Sequence, residues 1–166
     1  MIRLLFFVVK GLWWIVSGVL RIIVRAFAGR GRSRRGRAAP GRVVVGRARV
    51  IDGDTLDISG VRIRLAGIDA PEISHRQGRR AKRVLARLCR RKTITARFLP
   101  GKTYGRRVAT CYLPDGRDLS AVMVRRGMAL DWESYSGGTY RSFEPWFARV
   151  FLWRVALKQG RRTRGK

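Results

Sequence analysis

Asp52, Asp54, Asp69 and Glu72 arrive in two short signatures, Asp52-Gly53-Asp54-Thr55 and Ile68-Asp69-Ala70-Pro71-Glu72, in a chain with only 10 acids and a formal net charge of +28. Between them runs Val61-Arg62-Ile63-Arg64-Leu65, where apolar and basic residues alternate with the period of a strand. Two carboxylates gathered at strand ends repel each other unless a cation joins them, and hard oxygen donors suit Ca2+ or Mg2+. Asp54 and Asp69 are the candidate ligands. Glu72 follows Pro71, whose fixed backbone aims the next side chain, and can hold a water without being a ligand itself. Arg64, and Arg106 after Tyr104-Gly105, offer forked donors to phosphate oxygens. Together these parts describe phosphodiester hydrolysis, in which water approaches an anionic phosphorus while positive groups stabilise the charge that builds on oxygen. Taken alone, Asp52-Gly53-Asp54 reads as a hairpin turn with solvated acids, and Arg64 as a surface ion pair.

The elements that must hold these residues follow from periodicity and turn chemistry. A first strand is expected over Val43-Val44-Val45 and Ala48-Arg49-Val50-Ile51, a second from Thr55 to Ile58 and a third from Val61 to Ile68, with Ser59-Gly60 as a turn. Ala81, Val84, Leu85 and Leu88 recur at helical spacing within residues 76–91, whose remaining positions are mostly basic. Strands return at Thr93 to Phe98 and Arg106 to Tyr112, and Pro114-Asp115-Gly116 turns the chain. A short helix over residues 119–126 closes at Gly127, and a last helix rich in aromatics is expected from Tyr140 to Lys158. Five strands interrupted by a helix and followed by two more fit a small OB-type barrel with helical additions. There is no internal repeat and no Gly-rich phosphate loop.

Residues 1–49 hold eleven Arg, one Lys and no acid, and residues 50–166 are also cationic, so polyanions such as nucleic acid or anionic lipid are the natural partners. The alternative reading of that charge is a genomic composition bias, since Arg outnumbers Lys 32 to 6. Two cysteines, Cys89 and Cys111, and one histidine, His75, exclude a disulfide scaffold, a four-Cys zinc site and a His-rich metal centre.

The organisation reads as a hydrophobic helix over 1–28, a Gly/Arg-rich linker over 29–42, a folded domain over 43–160 and a basic tail over 161–166. Leu4 to Leu20 would span about 26 Å as a helix at ~1.5 Å per residue, against ~30 Å of hydrocarbon core. Arg3, Lys10, Arg21 and Arg25 project within an arc of roughly 60°, which suits an interfacial helix or a spanning one with snorkelling ends. Membrane association is the expectation. A cleaved signal ending near Ala26-Phe27-Ala28, giving a secreted or periplasmic product, is the alternative, and an ordinary soluble helix a third reading. The side of the membrane stays open, although seven Arg between 21 and 37 favour a cytoplasmic domain.

With these residues in place the chain resembles the thermonuclease, or staphylococcal nuclease-like, family, over about Val43 to Gly160 and most closely from Val50 to Glu72, over Tyr104-Gly105-Arg106 and from Met123 to Ala129. The resemblance implies an OB-fold five-stranded barrel with three helices, here preceded by the N-terminal hydrophobic helix. It implies a Ca2+-dependent endonuclease that cleaves DNA or RNA to 3′-phosphate ends; no protein partner is predicted. By the same motifs Asp54, Asp69 and the carbonyl of Ala70 would hold the cation, Glu72 would act on the water, and Arg64 and Arg106 would grip the phosphate. Tyr104 and Lys102 would touch substrate, Lys102 standing where the family often carries an acid. In this fold Cys89 and Cys111 would lie near each other, and pair only outside the cytoplasm. The competing classes are a non-catalytic nucleic-acid-binding OB module and a lipid-binding scaffold led by the N-terminal helix.

Overall fold

The computed structural model describes residues 42–103 and 106–163. The hydrophobic helix expected over 1–28, the linker apart from Arg42, Tyr104, Gly105 and the end of the basic tail lie outside the described residues. So do the side chains of Lys102 and Arg106. No described helix is long and apolar enough to cross a membrane.

Five strands close into a barrel in the order β1-β2-β3-β6-β5: β1 (Val43–Val50), β2 (Thr55–Ile58), β3 (Val61–Leu65), β5 (Thr93–Thr103) and β6 (Arg106–Tyr112). The first half of β1 pairs with β5 and its second half with β2, so one strand serves both edges. The barrel closes through the parallel pairing of β3 with β6, which sets Arg64 opposite Val108. Leu56, Ile58, Ile63, Ile94, Ala96 and Ala109 fill the interior with no exposed surface. This is the five-stranded OB barrel that the residue pattern calls for, and among the described residues three helices of seven residues or more accompany it: α1 (Arg76–Cys89), α2 (Leu119–Arg125) and, after two one-turn helices, α5 (Trp153–Thr163).

Helix α1 covers the barrel with Ala81, Leu85, Leu88 and Cys89 and leaves its arginines outside. It ends before Arg91, a non-glycine residue in the left-handed region. Asp118 caps α2 by accepting the Ser120 amide at 2.8 Å, and Gly127 ends it with φ 62°.

Two expectations change. The third strand stops at Leu65 rather than reaching Ile68, because Gly67 turns the chain with φ 70° and a side chain there would strike the Tyr140 ring at 2.8 Å. Ile68–Asp69 is a separate strand, β4, antiparallel to β7 (Leu130–Asp131). The single helix expected over 140–158 is broken into a 3-10 turn at Arg141–Phe143, α4 (Ala148–Phe151) and α5, and α3 (Glu133–Ser136) precedes them. Pro145 bars a continuous helix, and its carbonyl instead accepts the Ala148 amide at 2.9 Å. Cys89 and Cys111 are buried free thiols of the same apolar cluster. Burial pushes the Cys89 thiol up to about 11, and Cys111 in the same direction.

Candidate active site

Backbone pairing fixes Asp54 first. It precedes β2, its carbonyl accepts the Leu65 amide at 2.8 Å, and its side chain accepts the Thr55 hydroxyl at 2.8 Å and the Ala70 amide at 3.3 Å. Asp69 is brought in by β4. Arg64, from the middle of the β-sheet, lies between them: Nη1 is 2.8 Å from Asp54 Oδ2, and Nη2 donates to Asp69 Oδ1 at 2.9 Å and to the Ile68 carbonyl at 3.2 Å. All three residues are buried, Asp69 with only 1% of its surface exposed. The surface ion pair that Arg64 alone would suggest is instead an internal one, so both partners have been stripped of water and depend on each other.

Glu72 stands at the rim, exposed, in the loop before α1. Its carbonyl accepts the His75 amide at 3.0 Å, and α1 presses directly on that loop through Gly78, where an added Cβ would lie 2.0 Å from the Glu72 carbonyl oxygen. From the opposite side, Lys158 of α5 places its ammonium 3.2 Å from Glu72 Oε1 and 3.3 Å from Asp69 Oδ2. Trp132, buried, lies beneath both cations, its ring centre 5.8 Å from the Arg64 guanidinium and 6.0 Å from Lys158 Nζ.

Burial holds the Asp69 carboxyl above its ordinary value, and Asp54 pushes the same way, while Lys158 and Arg64 pull against it. Burial likewise raises Asp52, beside the site, whose Oδ1 accepts the Gly53 amide at 2.7 Å. Asp69 Oδ2 is buried and accepts no hydrogen bond, Lys158 being its ion-pair neighbour without hydrogen-bond geometry.

The donor chemistry fits a hard divalent cation. Two carboxylates close enough to share one guanidinium, one with an unsatisfied oxygen, adjoin the backbone of Ala70. Among the described residues no third acid, His or Cys completes a cluster around them, so carbonyl and solvent oxygens would supply the rest.

The structure therefore brings Asp54, Arg64, Asp69, Ala70 and Glu72 to one place. Arg106 begins β6 and Lys102 pairs in register with Arg107, but the side chains of both, and all of Tyr104, lie outside the described residues. Lys158 and Trp132 were not legible as site residues. Each is separated by 60 or more positions from the motif, and neither sits in a local pattern that marks it.

Residues 62–146 match the family described as staphylococcal nuclease homologue. Among similar proteins, an uncharacterized endonuclease of Escherichia coli O157:H7 is 40% identical over 92 residues, covering 53% of this chain and 60% of that protein. A micrococcal nuclease of Shigella flexneri is 35% identical over 103 residues, covering 55% and 59%. The succinoglycan biosynthesis protein ExoI of Rhizobium meliloti (strain 1021) is 34% identical over 107 residues, covering 58% and 56%. The chain thus spans less than two thirds of the length of each of these relatives.

Proposed function

We propose, from the premise that this chain belongs to the staphylococcal nuclease homologue family, that it is a metal-dependent endonuclease that hydrolyses phosphodiester bonds of DNA or RNA to 3′-phosphate ends. The observation that carries the reading is the buried Asp54–Arg64–Asp69 arrangement with Glu72 at its open rim. Asp54, Asp69 and the Ala70 carbonyl would hold Ca2+, with Mg2+ as the substitute to test; when bound, the cation neutralises charge on the phosphate oxygens. Were the cation to take up the charge of the two acids, the Arg64 guanidinium would be free to grip two phosphate oxygens through its fork, as Arg106 would from the start of β6. Glu72, exposed and aimed by Pro71, removes a proton from the attacking water. Lys158 then stays beside Glu72 or turns to the substrate's charge.

The site supports this reading over a non-catalytic OB module because a purely structural ion pair does not need a second acid on the same guanidinium and a third acid at an open rim. One observation favours the module: Arg64 and Lys158 already neutralise every acid of the cluster. Membrane tethering through residues 1–28 remains part of the proposal on sequence grounds alone.

Labelled single-stranded DNA incubated with the protein in Ca2+, Mg2+ or chelator, beside Glu72→Gln, tests the reading. Cleavage in Ca2+ that leaves 3′-phosphate ends and falls by about a hundredfold or more in Glu72→Gln is expected. Binding without any Glu72-dependent cleavage leaves the module.

A further inference from the structure

A cleft of about 170 Å³ opens beside Glu72, between the start of α1 and the α4–α5 segment, and its walls include Phe151, Trp153, Arg154 and Lys158. Gln77 and Phe151 also line a second, larger depression of about 620 Å³ that runs along α1. The two therefore adjoin across Gln77 and Phe151, and the first of them opens at the candidate catalytic glutamate.

The floor of the two depressions is cationic. Arg76, Arg80, Arg83 and Arg87 line the second depression. At 100° per residue they project within about 60° of one another and extend over about 16 Å of helix. Neither α1 nor α5 carries an acid, and none of these four arginines forms an ion pair with a described residue. The walls are aromatic. Trp153 is 50% exposed and Phe151 41%, and each has a guanidinium over its ring, Arg154 at 4.8 Å and Arg80 at 6.0 Å. A row of fixed positive charge beside half-exposed rings is what an unpaired strand requires, since phosphates take the charge and bases stack on the rings. A paired duplex hides the base faces, and a lipid surface makes no use of a concave path leading to a glutamate.

We propose that this face, from the cleft at Glu72 across Phe151 and Trp153 and along the arginines of α1, is a track for single-stranded nucleic acid on one side of the scissile phosphate. The assignment rests on the nuclease reading for its direction, but binding to the track needs no catalysis. The full chain is titrated in chelator with a fluorescent twelve-nucleotide single strand, a duplex of the same length and vesicles containing anionic lipid. Arg80→Glu/Arg83→Glu/Arg87→Glu weakens the single strand at least tenfold and reduces the salt slope by about two, since each phosphate neutralised on a single strand contributes ~0.7 to that slope. Arg47→Glu/Arg62→Glu/Arg126→Glu, the same change of charge on exposed positions elsewhere, changes affinity less than threefold. Trp153→Ala costs about tenfold for the single strand, and Trp153→Phe restores most of it. Equal losses in the two triple variants, a neutral Trp153→Ala, or vesicle binding as the only property that the α1 variant loses would each overturn the track. A chain that binds in this manner yet cleaves nothing in Ca2+ upholds the track and removes the nuclease reading. One that cleaves long single strands with unchanged KM in the α1 variant does the reverse.

Discussion

Strands β4 and β7 are neighbours two residues long, each carrying a buried aspartate, and the two acids have opposite lives. Asp69 on β4 faces Arg64 and Lys158 and lies next to an open cleft. Asp131 on β7 meets backbone: its Oδ1 accepts the Tyr140 amide at 3.2 Å, and its own amide donates to Glu144 at 2.9 Å. Glu144 is in turn gripped by Arg149 through Nε at 2.8 Å and Nη2 at 3.0 Å, which fastens α4 to β7. Both aspartates are buried and both have an Oδ2 that accepts no hydrogen bond. Burial and an unsatisfied oxygen thus do not separate a reactive acid from a structural one. The partners do: cationic side chains and a neighbouring cleft in one case, a backbone amide in the other.

The sharpest way to break this contrast is Arg64→Met, which leaves Asp54 and Asp69 buried against each other. It is expected to cost about 3–5 kcal/mol in urea unfolding, and added Ca2+ should recover part of the loss. A variant as stable as the parent would mean that the two acids are not held by Arg64. Asp131→Ala should cost about 1–3 kcal/mol through the stranded Tyr140 amide, with cleavage per folded molecule unchanged. If it lowered cleavage as far as Glu72→Gln does, Asp131 would belong to the site after all.

A third test leaves both acids alone and reads the apolar core that holds the two thiols. The folded chain holds its thiols protonated, Cys89 up to about 11, whereas an unfolded thiol ionises near ~8.5. Above that pH the unfolded state sheds protons that the folded state keeps, so stability falls as pH rises, by about 1 kcal/mol per thiol per unit. Unfolding curves at pH 7.5 and 9.5 should show this decline, and Cys89→Ala/Cys111→Ala should flatten it. A decline unchanged in that variant would place the titrating groups elsewhere. The smallest effect is expected for Lys158→Met. Its ion pairs are part-exposed and should matter by under ~1 kcal/mol. With no ammonium competing for Asp69, half-maximal activity should need less Ca2+, and a rise in that requirement would show Lys158 helping the cation instead.

The barrel was legible because its signals are local. Alternation marks β3, Ser59-Gly60 marks its turn, and apolar spacing marks α1. Asp54, Arg64, Asp69 and Glu72 were legible for the same reason, since they fall within one short stretch of chain. The failures are of two kinds, one tertiary and one a local signal passed over. Gly67 ends β3 early because Tyr140 occupies the space, and no residue near Gly67 announces that. The single helix expected over 140–158 overlooked a local signal, since Pro145 stands inside it, and the Glu144–Arg149 clamp completes the division. That division swings α5 to where Lys158 meets Glu72, a meeting across 86 positions that no periodicity encodes.

Gly78 turns the same geometry into a statement about heredity. Any side chain at this position would begin inside the carbonyl of Glu72, 2.0 Å away, with the Pro71 carbonyl at 2.7 Å leaving no room to yield. Every codon change that alters this residue therefore moves either the helix or the glutamate, so position 78 is closed to substitution by packing alone, whatever the outer face of α1 binds.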